Sequence, residues 1–154
     1  MSTTNLKAEL LDVMAKVNRK LRTVFDARVK ERGLTLARAR TMLTLLEQEG
    51  LYQKELAEVL EIENATMVRL LDGLERQSFI ERKTVPGDRR AKRIVMTAQG
   101  KVMAQQVVQL ADEVREDLLE GISEEELSVT LGVLQKISDR MHKAQPENSI
   151  ASQG

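Results

Sequence analysis

Thr66, Arg69, Gly73 and Arg76 recur at helical spacing within the stretch Glu63 to Gln77, on a face with one hydroxyl, two guanidinium groups and no bulky apolar side chain. A guanidinium can fork two hydrogen bonds to guanine, and a threonine can donate to a base edge or touch the methyl group of thymine. Such a face suits the major groove of duplex DNA. Met67, Leu71, Leu74 and Ser78 fall at i, i+4, i+7 and i+11, the spacing of a helix that packs inward along its other side.

A basic segment follows at once. Ile80 to Val85 and Arg89 to Met96 flank Pro86-Gly87-Asp88, and both flanks hold β-branched residues. Proline presets the second position of a turn and glycine tolerates positive φ at the third, so a two-stranded hairpin is expected. Between Glu81 and Arg93 stand six basic residues against two acids, a local charge of +4 in a chain whose 24 basic and 24 acidic residues cancel. Alone, a charged hairpin reads as solvated surface. Directly after a polar-faced helix, it reads as the second half of a grip on DNA.

The remaining segments must position these two. Leu6, Leu10, Val13, Val17, Leu21 and Val24 repeat at spacings of three and four. They predict one amphipathic helix ending near Gly33, roughly seven turns at 3.6 residues each. Its length suits a dimer arm. Thr35 caps a second helix, Leu36 to Glu49, with Leu36, Ala39, Leu43 and Leu46 as its inward stripe. A short helix from Gln53 to Leu60 presents Leu56, Val59 and Leu60, and a turn at Glu61-Ile62 lacks the glycine often found there. Short helix, turn and second helix form a helix-turn-helix, which the hairpin makes winged. Thr97 caps a further helix through about Glu120, with Val102, Val107, Leu110, Val114 and Leu118 along it. After Gly121, Ser123 and Glu126 have capping-box spacing, and Leu127, Leu131, Leu134, Ile137 and Met141 line a last helix to about Lys143.

The expected architecture is mainly α with a small β-hairpin wing. Residues 1–34 and 98–145 form dimerisation helices, 35–97 the winged helix-turn-helix domain, and 146–154 a flexible tail.

Composition excludes several classes. The chain is 154 residues long and 42% hydrophobic, enough for one core, but only 2% aromatic. That scarcity argues against recognition of single strands by base stacking. The absence of cysteine removes disulfides, thiolate nucleophiles and thiol-based switches. The first apolar run, Leu10 to Val17, is broken by Asp12 and Lys16, so neither a signal peptide nor a membrane span is expected, and the location is cytoplasmic. His142 is the single histidine and has no nucleophile pattern beside it, and no phosphate-cradling glycine motif occurs. No enzyme, cofactor or metal is expected. Eight acids and one base between Asp112 and Glu126 read as a solvated face that keeps that end away from phosphates.

Gln53-Lys54-Glu55-Leu56-Ala57, Ile62-Glu63-Asn64-Ala65-Thr66, Leu70-Leu71-Asp72-Gly73-Leu74-Glu75, Asp88-Arg89-Arg90-Ala91-Lys92-Arg93 and Thr97 together resemble the multiple-antibiotic-resistance regulator (MarR) family. The wing run Asp88 to Arg93 is most similar to its SlyA subgroup. The resemblance covers nearly the whole chain and implies an intertwined helical homodimer acting on double-stranded DNA as a repressor or activator. It places Thr66 and Arg69 on bases, with Asn64 and Ala65 at the groove entrance, and Arg89 in the minor groove. Arg82, Lys83, Arg90 and Lys92 become phosphate contacts or supports of the wing, and Asp88 could pin one of the arginines. It further implies a small aromatic carboxylate as effector, for which Arg22, Arg38 and Arg40 are the candidate partners, unless they are ordinary surface charge. The competing reading is a helical scaffold whose basic hairpin binds an acidic protein. It leaves the polar face of the preceding helix without a role.

Overall fold

The computed structural model describes residues 2–144. Among these, six helices and one two-stranded antiparallel sheet follow in the order α1 (Thr3–Lys30), α2 (Leu36–Glu47), α3 (Gln53–Val59), α4 (Asn64–Arg76), β1 (Ile80–Val85), β2 (Asp88–Met96), α5 (Ala98–Leu119) and α6 (Glu124–Ala144). The winged helix-turn-helix architecture expected from the sequence is present. The tail expected over 146–154 lies outside the described residues.

The caps fall where local chemistry puts them. Thr35 accepts from the Arg38 amide at 3.2 Å and opens α2. Thr97 accepts from the Gly100 amide at 2.9 Å, and its hydroxyl donates to the Ser78 carbonyl at 2.6 Å. One side chain thus starts α5 and ties it to the end of α4. The turn between α3 and α4 needs one left-handed residue, and without a glycine it falls to Glu61, at φ 54°. A side chain there costs about 1–2 kcal/mol of backbone strain.

Among the described residues two compact units are separable, 2–115 and 116–144. In the first, Met42 and Leu45 of α2, Leu56 of α3, Met67, Leu71 and Leu74 of α4, Ile80 and Ile94 of the hairpin and Val107 and Val114 of α5 form one aliphatic core. The stripe of α2 is rotated from the expected one: Thr41, Met42 and Leu45 are buried with Ala39, while Leu36, Leu43 and Leu46 are only partly covered. Of the apolar residues along α3 and α5, Val59 is 49% exposed and Val102 60% exposed, outside the core. In the second unit, Ser123 and Glu126 form the reciprocal capping box of α6, at 2.9 and 3.1 Å. No residue of α6 is buried.

β1 and β2 pair from Ile80 with Met96 to Thr84 with Lys92, then slip so that Val85 meets Asp88. Pro86 and Gly87 make the turn, Gly87 at φ 85°, and the slip leaves Arg89, Arg90 and Ala91 as extra residues at the tip. A third, minimal pairing joins Tyr52 to Arg93, and the Ile94 amide donates to the Leu51 carbonyl at 2.9 Å. The wing base is thereby stitched to the segment that opens α3.

Candidate nucleic-acid interface

Helix α4 buries Met67, Leu71 and Leu74 and leaves Asn64, Ala65, Thr66 and Arg69 exposed over its first two turns. The face expected from spacing is corrected at Gly73. Gly73 is buried, because the guanidinium of Arg38 from α2 lies where a Cβ on Gly73 would stand. Val68, on the side of α4 that it shares with Ala65 and Asp72 and not with Thr66 and Arg76, is 38% exposed, an open apolar group that the spacing argument did not name. Strict helical geometry could have found Val68, since it falls outside the arc of Met67, Leu71 and Leu74. Nothing local could have found Arg38 over Gly73.

Arg82 sits on β1 but binds back to α4. It donates to Asp72 and to Glu75, each at 2.7 Å, with 23% of its side chain exposed. The hydrogen bond it donates to Glu75, with that to Asp72, raises its pKa above the usual arginine value against the opposing effect of burial. Its charge is answered within the protein, and it acts as a strut between wing and helix. Arg93 is likewise engaged: its guanidinium donates to the Tyr52 hydroxyl at 3.2 Å and lies 5.2 Å from the ring centroid. Tyr52, the single tyrosine, was not among the expected site residues; its partner stands 41 positions away in sequence.

Four basic residues of the wing remain. Lys83, Arg89 and Arg90 are exposed and Lys92 is half-buried, and none is ion-paired among the described residues. Asp88 accepts from the backbone amide of Arg90 at 2.9 Å, shaping the tip through the main chain and not through an arginine side chain. An open trough of 750 Å³ is lined by Tyr52, Gln53, Lys54 and Glu55 at the start of α3, by Asn64 of α4, and by Asp88, Arg90 and Lys92 of the wing.

The three candidate effector arginines part company. Arg22 and Arg40 line a 230 Å³ cavity walled by Leu21, Phe25 and Val29 of α1, Leu43 of α2 and Leu110 of α5. Arg115, absent from the sequence expectation, stands at the same cavity and pairs with Asp112. Arg38 points elsewhere, donating to the Gln77 side chain at 3.1 Å, while Gln77 donates to the Gly33 carbonyl at 3.0 Å. Among the described residues no cluster of side chains is arranged to hold a metal, and no helix is long and apolar enough to cross a membrane.

Comparison with known proteins agrees with this geometry. The sequence model of the family described as MarR matches residues 34–92. Among solved structures, the chain is similar to the transcriptional regulator PA3341 at 36% identity and a TM-score of 0.76, over 87% of this chain and 98% of that one. The transcriptional regulator SlyA matches at 25% identity and a TM-score of 0.76, over 87% of this chain and 94% of that one. MepR of S. aureus, solved as a DNA complex, matches at 25% identity and a TM-score of 0.76, over 84% and 95% of the two chains. A relative sharing over a third of its residues along almost its whole length, and a family match spanning the helix-turn-helix and most of the wing, make the chain a member of the MarR family.

Proposed function

We propose that the protein is a sequence-specific transcription regulator that binds double-stranded DNA as a homodimer on pseudo-palindromic sites. The observation that carries this reading is the open start of α4, where Asn64, Ala65, Thr66 and Arg69 are exposed and Asn64 lines a trough that Arg90 and Lys92 of the wing also line. Thr66 and Arg69 read bases in the major groove. Lys83, Arg90 and Lys92 neutralise phosphates, and Arg89 enters the adjoining minor groove from the tip. Family membership and the MepR–DNA complex support the assignment. The wing run Asp88 to Arg93 supports placement beside the SlyA subgroup.

Dimerisation explains the apolar surface of the terminal helices. Leu6, Leu10, Val13 and Val17 share one face of α1, Leu127, Leu131, Leu134 and Met141 share one face of α6, and all of them are exposed. An exposed apolar stripe along a helix of this kind marks an interface. In this reading residues 1–34 and 98–145 form the dimer and 35–97 the DNA-binding domain. The cavity with Arg22, Arg40 and Arg115 at an apolar wall fits a small aromatic carboxylate, whose ring needs burial and whose charge needs a guanidinium.

Selection of bound duplexes from a random pool, followed by titration of affinity against salt, tests the assignment. A palindromic consensus and a steep loss of affinity with salt are expected. Equal binding to all duplexes would refute sequence-specific regulation, and no binding at all would favour an acidic protein as partner of the wing.

A further inference from the structure

We propose that Val68 is a specificity-determining residue that reads the C5 methyl group of a thymine. The inference rests on the DNA-binding reading above and assigns a base feature to a side chain that reading leaves unused.

Two observations on α4 support it. Asp72 and Glu75 both bind Arg82 of the wing at 2.7 Å, so the second half of the helix is engaged by β1 and carries carboxylates that repel phosphates. The part of α4 free to approach a groove is therefore its first two turns. Within them Met67 is wholly buried and Leu70 partly covered, while Val68 is 38% exposed beside Ala65 and Arg69. Val68 is the branched apolar side chain left open on that surface. It has no polar atom with which to bond a base edge, and the one methyl group on the major-groove edge of any base pair is that of thymine. Contact between two branched apolar groups removes water from both, which favours thymine over cytosine and over uracil at that position.

The test uses the full-length protein and a duplex selected from a random pool. Thymines of one half-site are replaced singly by deoxyuridine, which deletes the methyl and leaves every hydrogen-bonding group in place. One position is expected at which this weakens wild-type binding about fourfold, the equivalent of one methyl-sized group left in water. Val68→Ala should bind the unmodified duplex more weakly by a similar factor and be indifferent to deoxyuridine at that position. Val68→Thr, which keeps one methyl, should retain part of the response. Alanine is the better helix former and the side chain is not core, so both variants should fold. Equal responses of wild type and Val68→Ala at every thymine, or no responsive thymine, would overturn the inference while leaving sequence-specific binding intact. Failure of wild type to prefer any duplex would instead remove the reading on which it rests.

Discussion

The guanidinium of Arg38 lies over Gly73, in the space a Cβ would fill, and its hydrogen bond to Gln77 at 3.1 Å holds it there. Glycine in mid-helix costs about 0.5–1 kcal/mol relative to alanine, so its presence in α4 needs a packing reason, and Arg38 supplies one. Arg38 comes from α2, and Gln77 reaches on to the Gly33 carbonyl, so the end of the recognition helix is tied to the turn that precedes α2.

This relationship predicts a reversal of sign. Gly73→Ala in the wild type must expel the guanidinium and lose its hydrogen bond, for a net destabilisation of about 0.5–2 kcal/mol. In an Arg38→Ala background the same change should stabilise by about 0.5–1 kcal/mol through helix propensity alone. Urea unfolding of the four proteins gives the coupling directly; equal shifts in both backgrounds would show that Arg38 does not occupy the space.

Arg82 and Lys92 stand on neighbouring strands and should differ in salt dependence. Lys92 has no acidic partner among the described residues, so Lys92→Ala should remove a phosphate contact. The slope of log affinity against log salt should then fall by about 0.9 per half-site, or roughly 1.8 per dimer. Arg82 is already neutralised by Asp72 and Glu75, so Arg82→Ala should weaken specific binding by freeing the wing while the slope stays unchanged.

Arg89 follows the turn as an extra residue at the slip in strand register. Arg89→Ala should abolish any preference for A·T-rich sequence flanking the half-site, and Arg89→Lys should restore only part of it. A compact, strongly hydrated ammonium is harder to desolvate in a narrow groove than a guanidinium. Duplexes differing only in their flanks provide the measurement; full rescue by lysine would mean that Arg89 touches a phosphate.

Leu134 is 38% exposed on a helix that buries none of its residues. Leu134→Asp should shift the protein towards monomer in sedimentation and weaken specific DNA binding in parallel, because one module offers half the contacts. A wild-type protein that sediments as a folded monomer at micromolar concentration would contradict the dimer.

Glu126 accepts from the Ser123 amide at 2.9 Å, and that backbone bond, followed by the Ser123 side chain, lowers its carboxyl pKa. A lowered native pKa means stability that is complete above the unfolded-state value and lost as pH falls through the native one. Glu126→Gln should therefore have less helix than wild type at neutral pH, with the two converging in circular dichroism as the carboxylate protonates. Parallel curves at all pH values would show that the capping charge contributes nothing.

The elements were legible in the sequence because their causes are local. Thr35, Thr97 and the pair Ser123 and Glu126 bond amides three residues on, and Met67, Leu71 and Leu74 share a face by helical geometry alone. Pro86-Gly87 likewise dictates a turn wherever it stands. What only the tertiary structure decided is which side of each helix meets which neighbour. Arg38 and Arg40 are two residues apart and chemically identical, yet one lies over Gly73 and the other lines the apolar cavity. Successive side chains on a helix diverge by about 100°, so a pair two apart points to nearly opposite sides, and only the packing of α2 between its neighbours gives those sides meaning. The same holds for Arg82, whose type and charge suit phosphate as well as carboxylate. Folding brings Asp72 and Glu75 within 2.7 Å of it, and that proximity, which no local pattern encodes, makes it a strut.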